Sequence, residues 1–314
     1  MGVEMSRRAW MGYTPAALGV GLMAGSSAAA SREEADPFGY CLNTSTLQGQ
    51  KLTMERLVDV TAEAGYRGIE PWIRDLDRHA QGGGSLRDLG RRISDRGLSV
   101  EGAIGFFEWA VDDDGRRRKA LEEARRNMEI VRQVGGKWIA APPAGATEPP
   151  APDLLHVAER YRALLELGDE MEVVPQVEVW GFSATLGRLG EAALVAMESG
   201  HPRACILPDV YHLHKGGSSL RGLEFLEGST MHLFHMNDYP ADPPRAEIND
   251  SHRVYPGDGV APLSQILRTL RTNGYRGMLS LELFNRDYWR QDALTVARTG
   301  LEKMKAVVRE SLAP

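Results

Sequence analysis

The chain predicts a (β/α)8 TIM barrel, and three observations lead there. From Phe38 onward, short apolar runs alternate with longer helical patterns, which implies parallel strands joined by helical crossovers. Several helical patterns close on glycine, at Ala64-Gly65, Arg96-Gly97, Val134-Gly135 and Asn273-Gly274, the signal of a left-handed C-cap. Eight such units fill about 275 residues, close to the ~250 typical of this barrel. A doubly wound open sheet is the alternative, but no edge strand can be located for it. No long linker, composition shift or low-complexity run follows residue 37. Residues 31–314 therefore read as one domain.

The elements follow in order. The first strand is read over Phe38–Leu42 and the first helix over Met54–Ala64, which stops at Gly65. Gly68–Trp72 is the second strand and Leu86–Arg96 its helix, stopping at Gly97. Ser99–Ile104 leads into the helix Arg116–Val134, whose Arg116-Arg117-Arg118-Lys119 start is a solvated face. Lys137–Ala141 pairs with Leu154–Glu172, and Pro175–Trp180 with Leu186–Ser199. Ala204–Asp209 and His232–Asn237 are the sixth and seventh strands. The helix Pro262–Asn273, the strand Met278–Phe284 and the helix Asp292–Val308 complete the set.

Residues 1–30 stand apart. Ser6-Arg7-Arg8-Ala9-Trp10-Met11 is followed by a weakly apolar Gly/Ala-rich run and then Ala28-Ala29-Ala30. A charged start, short apolar middle and small-residue end describe a cleavable export signal, and the paired arginines suggest the twin-arginine type. The run is too short for a membrane span, which needs about 20 apolar residues. No stable membrane anchor is therefore expected, and the mature protein would be periplasmic or otherwise exported. The net charge of −6 and a pI near 5.8 argue against a nucleic-acid partner. Cys41 and Cys205 sit in apolar runs far apart in sequence and read as buried free thiols. The outer helices of such a barrel could support a homodimer, although no exposed patch can be read.

Strand alternation places the chemistry. In Pro175–Trp180, Val177 and Val179 share one face while Gln176, Glu178 and Trp180 share the other. In Met278–Phe284, three leucines face one way and Ser280, Glu282 and Phe284 the other. The aliphatic face should meet the helices, so Glu178 and Glu282 look inward. Asp209 ends the sixth strand, and His235 has the parity of Leu233. His232 falls on the helix-facing parity. The four inward groups project toward the C-terminal mouth, where barrel enzymes place their chemistry. Glu178 to Asp209 spans 31 residues and Asp209 to His235 spans 26, each near the ~30 of one βαβ unit. His235 to Glu282 spans 47; the excess is the long loop YPADPPRAEINDSHRVYPGDG, and a loop of that length in a compact barrel is usually functional. Three carboxylates and an imidazole in a partly apolar mouth need a counter-ion. One divalent cation resolves this. The oxygen-rich set favours Mn²⁺, with Mg²⁺, Co²⁺ or Zn²⁺ as alternatives.

The segments VEVWGF, LPDVYH, HMND, HRVYPGDG and SLELF resemble the C-terminal half of the xylose isomerase-like barrels, the sugar isomerase/epimerase superfamily. The resemblance runs over roughly residues 38–310, with its specific motifs after 175. It implies Glu178, Asp209, His235 and Glu282 as metal ligands. It also implies substrate contacts from His212 and Arg253. Glu70, Trp72 and Trp180 are further candidates for contact with a sugar, Glu70 through a hydroxyl and the indoles by stacking. Asp250-Ser251-His252 resembles additional ligands of the apurinic-site endonucleases, which makes Asp250 and His252 candidates for a second metal. That branch also needs first-half histidines, and the strand segments SVEGAI and KWIAAPPA contain none.

The implied activity is a metal-dependent isomerase or epimerase of a free sugar or keto-sugar derivative. Glu178 and Glu282 would act as the acid/base pair around an enediolate. A lyase or dehydratase acting on a keto-sugar, keto-glycoside or inosose through the same enolate is the alternative. A sugar-binding module and an endonuclease-like hydrolase rank below it.

Overall fold

The computed structural model describes residues 36–313; the proposed export signal lies outside them. Eight strands are present among those residues: β1 Gly39–Asn43, β2 Gly68–Glu70, β3 Ser99–Val100, β4 Trp138–Ala141, β5 Val174–Glu178, β6 Ile206–Leu207, β7 Leu233–Met236 and β8 Met278–Leu281. They pair in parallel as two arcs, β3-β2-β1-β8-β7 and β4-β5-β6. Single contacts join the arcs. Ala140 N–H donates to the Ala103 carbonyl at 2.9 Å, and His235 N–H donates to the Pro208 carbonyl at 2.9 Å, beside an Asp209–His235 bridge. The strand order runs once around a barrel, as the alternation of the sequence requires.

The helices begin where the sequence supplies caps. The side chains of Thr53, Ser85, Asp113, Asp153 and Asp292 accept first-turn N–H groups of α1 Met54–Ala64, α3 Leu86–Asp95, α4 Asp114–Gln133, α5 Leu154–Met171 and α9 Ala293–Leu312. The helix α1 ends at Gly65 with φ 97°, a conformation that a Cβ would disfavour. Also present are α6 Leu189–Glu198 and α8 Leu263–Thr272. Two helices escape the sequence reading, α2 Ile73–Gln81 and α7 Val210–Lys215. Both start directly after a strand end, so their first residues look like strand continuation. The third strand is shorter than expected because Gly102 and Gly105 interrupt it.

Two apolar layers result. The larger lies between barrel and helices. The smaller fills the interior with Cys41, Ala140, Leu207 and Leu233, all essentially without solvent contact, and is topped by Trp72 and Ile104. His232 does not face the helices. It precedes β7, outside the regular alternation, and its ring stacks on Trp138 at 3.4 Å and 6° while Nε2 lies 3.1 Å from Glu101. Both cysteines are free and buried. No helix among the described residues is long and apolar enough to cross a membrane.

Candidate active site and metal centre

Glu178 ends β5, Asp209 follows β6, His235 lies within β7 and Glu282 follows β8. All four are buried. Asp209, His235 and Glu282 each offer a ligand atom, and these atoms lie within 4.8 Å of one another. His235 Nδ1 is 3.3 Å from Glu282 Oε2, 3.8 Å from Asp209 Oδ2 and 4.0 Å from Glu178 Oε1. None of these contacts has hydrogen-bond geometry, so Nδ1 is buried without a partner, and so is Glu178 Oε2. Orphaned buried polar atoms are rare in native proteins and ask for an explanation. Two carboxylates and an imidazole converging with one orphaned nitrogen fit a divalent cation of the Mn²⁺ to Zn²⁺ series. Glu178 stands beside this trio rather than inside it.

A supporting layer fixes the geometry. His235 Nε2 is held by Glu70, at 3.1 Å from Oε2, which leaves Nδ1 toward the cluster. Glu70 in turn accepts from Asn43 Nδ2 at 2.9 Å and Ser280 Oγ at 2.7 Å. It is fully buried and does not line the cavity, so it orients the histidine instead of meeting a sugar hydroxyl. Gly102 makes room for it: a Cβ there would lie 2.8 Å from Glu70 Oε1. Asn43 also donates to Glu282 Oε1 at 3.1 Å and accepts from Trp72 Nε1 at 2.9 Å. Asn237 donates to Asp209 Oδ2 at 2.8 Å while accepting from Tyr211 N–H. Asp209 Oδ1 caps α7 through His212 N–H at 2.7 Å. Asn43, Asn237 and Ser280 were missed in the sequence. Asparagine is depleted in strands, so an asparagine at two strand ends was the available signal.

The long loop is tied down by Asp238, whose carboxylate accepts from Gly257, Gly259 and Ala261 N–H at 2.9–3.1 Å. Asp238 also pairs with Val254 through the backbone. This folds Arg253 into the mouth. Its Nη1 donates to Asp209 Oδ2 at 3.0 Å and Glu282 Oε2 at 2.8 Å, and Nη2 reaches Asp250 at 2.5 Å and His212 Nε2 at 3.0 Å. The guanidinium stacks over Tyr211 at 4.5 Å. His212 Nδ1 accepts from Gly181 N–H at 3.2 Å. Burial and the neighbouring Arg253 push its pKa down to about 4, so the ring is neutral. His252 turns back on its own 3-10 turn, where Nδ1 accepts from Asn249 N–H. Among the described residues, Asp250 and His252 join no group of three metal-type ligands. Trp109 lies in the core and donates to the Pro142 carbonyl.

The two glutamates differ in charge tendency. Burial, partly countered by His235 and reinforced by Glu282, pushes Glu178 up to about 8. Burial acts on Glu282 in the same direction, but His235 and Arg253 outweigh it and hold that carboxyl down at about 2. Burial disfavours charge on His235, yet the carboxylates of Glu282 and Glu70 raise its pKa well above the usual imidazole value. Above the cluster opens a cavity of about 210 Å³, lined by Glu178, Glu282, His212 and Arg253 together with Trp72, Trp180 and other aromatic rings. Neighbouring titratable groups with divergent pKa values beneath a small cavity are the arrangement that proton-transfer catalysis uses.

Known proteins share this frame. The family model described as xylose isomerase-like TIM barrel matches residues 58–307. An inosose isomerase of Bacillus licheniformis is 29% identical over 280 residues, covering 85% of this chain and 97% of that protein. A 3-dehydroshikimate dehydratase of Pseudomonas aeruginosa is 28% identical over 246 residues, covering 74% of this chain and 36% of that longer protein. Among solved structures, the IolI protein with a bound zinc atom aligns with TM-score 0.81 at 20% identity, over 88% of this chain and 100% of that one; this likeness is one of fold.

Proposed function

The chain belongs to the xylose isomerase-like TIM barrel family, and from that premise we propose that it is a divalent-metal-dependent isomerase of a cyclic keto-sugar or keto-inositol. The observation that carries this reading is the buried Asp209–His235–Glu282 trio with Glu178 beside it, where Glu178 and Glu282 line a cavity of about 210 Å³. The likeness to an inosose isomerase over nearly that protein's whole length supports it.

When bound by Asp209, His235 and Glu282, a divalent cation, Mn²⁺ by the donor set, supplies Lewis-acid stabilisation of negative charge on a substrate carbonyl oxygen. The remaining work falls to the chain. Glu282, held ionised, takes the proton from the carbinol carbon beside the ketone. Glu178, the carboxyl that retains a proton more readily, gives one back. Return to the former carbonyl carbon, with the carbinol hydroxyl proton passing to the former carbonyl oxygen, moves the ketone along the ring; return to the same carbon on the other face gives the epimer. His212 stays neutral, lines the cavity, and through Nε2 holds the Arg253 guanidinium in place at the mouth. Arg253, stacked on Tyr211, neutralises Asp209 and Glu282 and meets substrate hydroxyls from the loop side. The indole faces of Trp72 and Trp180 exclude water from the proton transfer.

The likeness to a dehydratase favours one second reading. The same proton abstraction followed by loss of a β-hydroxyl would give an alkene instead of an isomer. A deuterium-exchange NMR screen of inososes, keto-glycosides and free ketoses with Mn²⁺-loaded protein decides between them. We expect α-proton exchange together with a new isomeric ketone. Exchange with a new vinyl signal would select elimination, and no exchange with any member of the panel would overturn both readings. The Ser6–Met11 start and the run to Ala30 support an exported, periplasmic enzyme.

Cation binding should depend on pH with a defined sign. Of the three ligands, His235 is the one whose pKa is raised, by the carboxylates of Glu282 and Glu70, so it holds a proton more readily before a cation arrives. Ligand groups bind deprotonated, so binding expels a proton from His235 and affinity rises as pH increases. Titration calorimetry with Mn²⁺ in two buffers of different ionisation enthalpy should show net proton release. An identical apparent enthalpy in the two buffers would contradict this protonation scheme.

A further inference from the structure

The cavity above the cluster holds about 210 Å³, below the ~300–1,000 Å³ usual for pockets that engulf a larger ligand. It encloses a single ring. The aromatic side chains around it nevertheless continue outward. Phe284 packs edge-on to Trp72 at 6.0 Å, Trp72 to Phe106 at 5.4 Å and Phe106 to Trp180 at 5.5 Å, while Trp180 and Phe182 lie tilted at 5.2 Å and 31°. The last link, Phe182 to His212, is 5.9 Å. Trp72 is buried, whereas Phe106 is 41% and Phe182 50% exposed. Phe106 belongs to the segment after β3 and Phe182 to the segment after β5, and both line the mouth of this one cavity. Their exposed faces contribute little to the core. Leaving two phenyl rings half in water at a substrate entrance costs hydrophobic stabilisation that a ligand can recover.

Charge narrows the ligand further. Arg253 is the one cationic side chain among the described lining residues, and Asp209, Glu282 and Asp250 already engage it. The lining adds the carboxyl of Glu178. A phosphate or carboxylate on an outer part of the substrate would find no unengaged cationic side chain among the described lining residues. An uncharged extension with a flat apolar face is what the rim can hold.

We propose that Phe106 and Phe182 form an outer subsite that stacks the apolar aglycone of an uncharged keto-glycoside, whose oxidised sugar ring occupies the inner cavity. This rests on the keto-sugar reading above and specifies its substrate class. A glycoside's anomeric carbon is locked as an acetal, so the ketone must lie elsewhere on the ring.

The test compares the phenyl and methyl glycosides of one keto-glucose. Binding is read by quenching of intrinsic tryptophan fluorescence, and α-proton exchange by NMR. The phenyl compound should bind about tenfold more tightly to the unaltered protein, as one or two aromatic contacts allow. Phe106→Ala and Phe182→Ala should each reduce that ratio at least threefold, and Phe106→Leu, which keeps apolar bulk without the ring, should reduce it in part. Equal affinities in the unaltered protein, or a ratio untouched in both alanine variants, would overturn the subsite. Phenyl-selective binding without exchange of either compound would sustain the subsite and remove the isomerase reading. Exchange of the methyl compound without phenyl preference would do the reverse.

Discussion

Glu178→Gln is expected to slow exchange of the substrate α-proton with solvent deuterium by about 10²–10⁴-fold, the range that a positioned acid/base supplies. The same variant should still bind one Mn²⁺ per chain, because Asp209, His235 and Glu282 form their cluster without it. That pairing of outcomes separates a proton carrier from a ligand. Glutamine keeps the shape of glutamate and cannot take up or release the proton, so the fold has little reason to respond. His235→Ala provides the contrast: it removes a ligand and leaves Glu70 buried without its imidazole partner, so both the cation and the exchange should be lost. Solvent exchange at the unaltered rate in Glu178→Gln, measured by NMR with metal content checked in parallel, would remove this residue from the chemistry.

The second large effect is expected from Arg253→Met. Its guanidinium is buried and touches Asp209, Glu282, Asp250 and His212. Removing one member of a buried ion network typically costs about 3–5 kcal/mol because the partner charges remain uncompensated. For a chain of this size that corresponds to a fall in melting temperature of roughly 6–12 °C in the absence of metal. Methionine retains contact with Tyr211 and Phe284, so lost packing is a minor part of the change. Mn²⁺ should restore more stability to the variant than to the unaltered protein, since a cation bound only by the folded state stabilises it and here replaces the missing charge. Melting curves with chelator and with excess Mn²⁺ measure both. A variant as stable as the parent under chelation would show that Arg253 does not neutralise the cluster.

Much of this site could be read from the sequence, for a specific reason. Period-two alternation in PQVEVW and MLSLELF survives in the folded strands, so the inward placement of Glu178 and Glu282 follows from local pattern alone. His235 was legible in the same way. What stayed hidden depends on contacts between distant segments. Glu70 looks like a candidate for sugar binding until Asn43, Ser280 and His235 are seen to consume its oxygens. The capping role of Asp209 was concealed because α7 is only six residues long and starts at the strand end. His232 is structural, stacked on Trp138 and paired with Glu101, but its side does not follow parity, because alternation is reliable inside a strand and fails at the residue before it. Asp250 and His252 matched a metal motif in spacing, but a tight turn directs the histidine to its own backbone.

The interior layer of Cys41, Ala140, Leu207 and Leu233, backed by the stacked His232 and Trp138, makes the barrel a vessel with a floor. Among the described residues this layer closes the interior below the cavity, so a product leaving by the mouth passes the same aromatic jambs as its precursor. Selection by those jambs acts in both directions: whatever grips the incoming molecule also detains the outgoing one. A reaction that leaves molecular size unchanged gains no help in departure, whereas one that severs the molecule in two would free each half more readily than the whole.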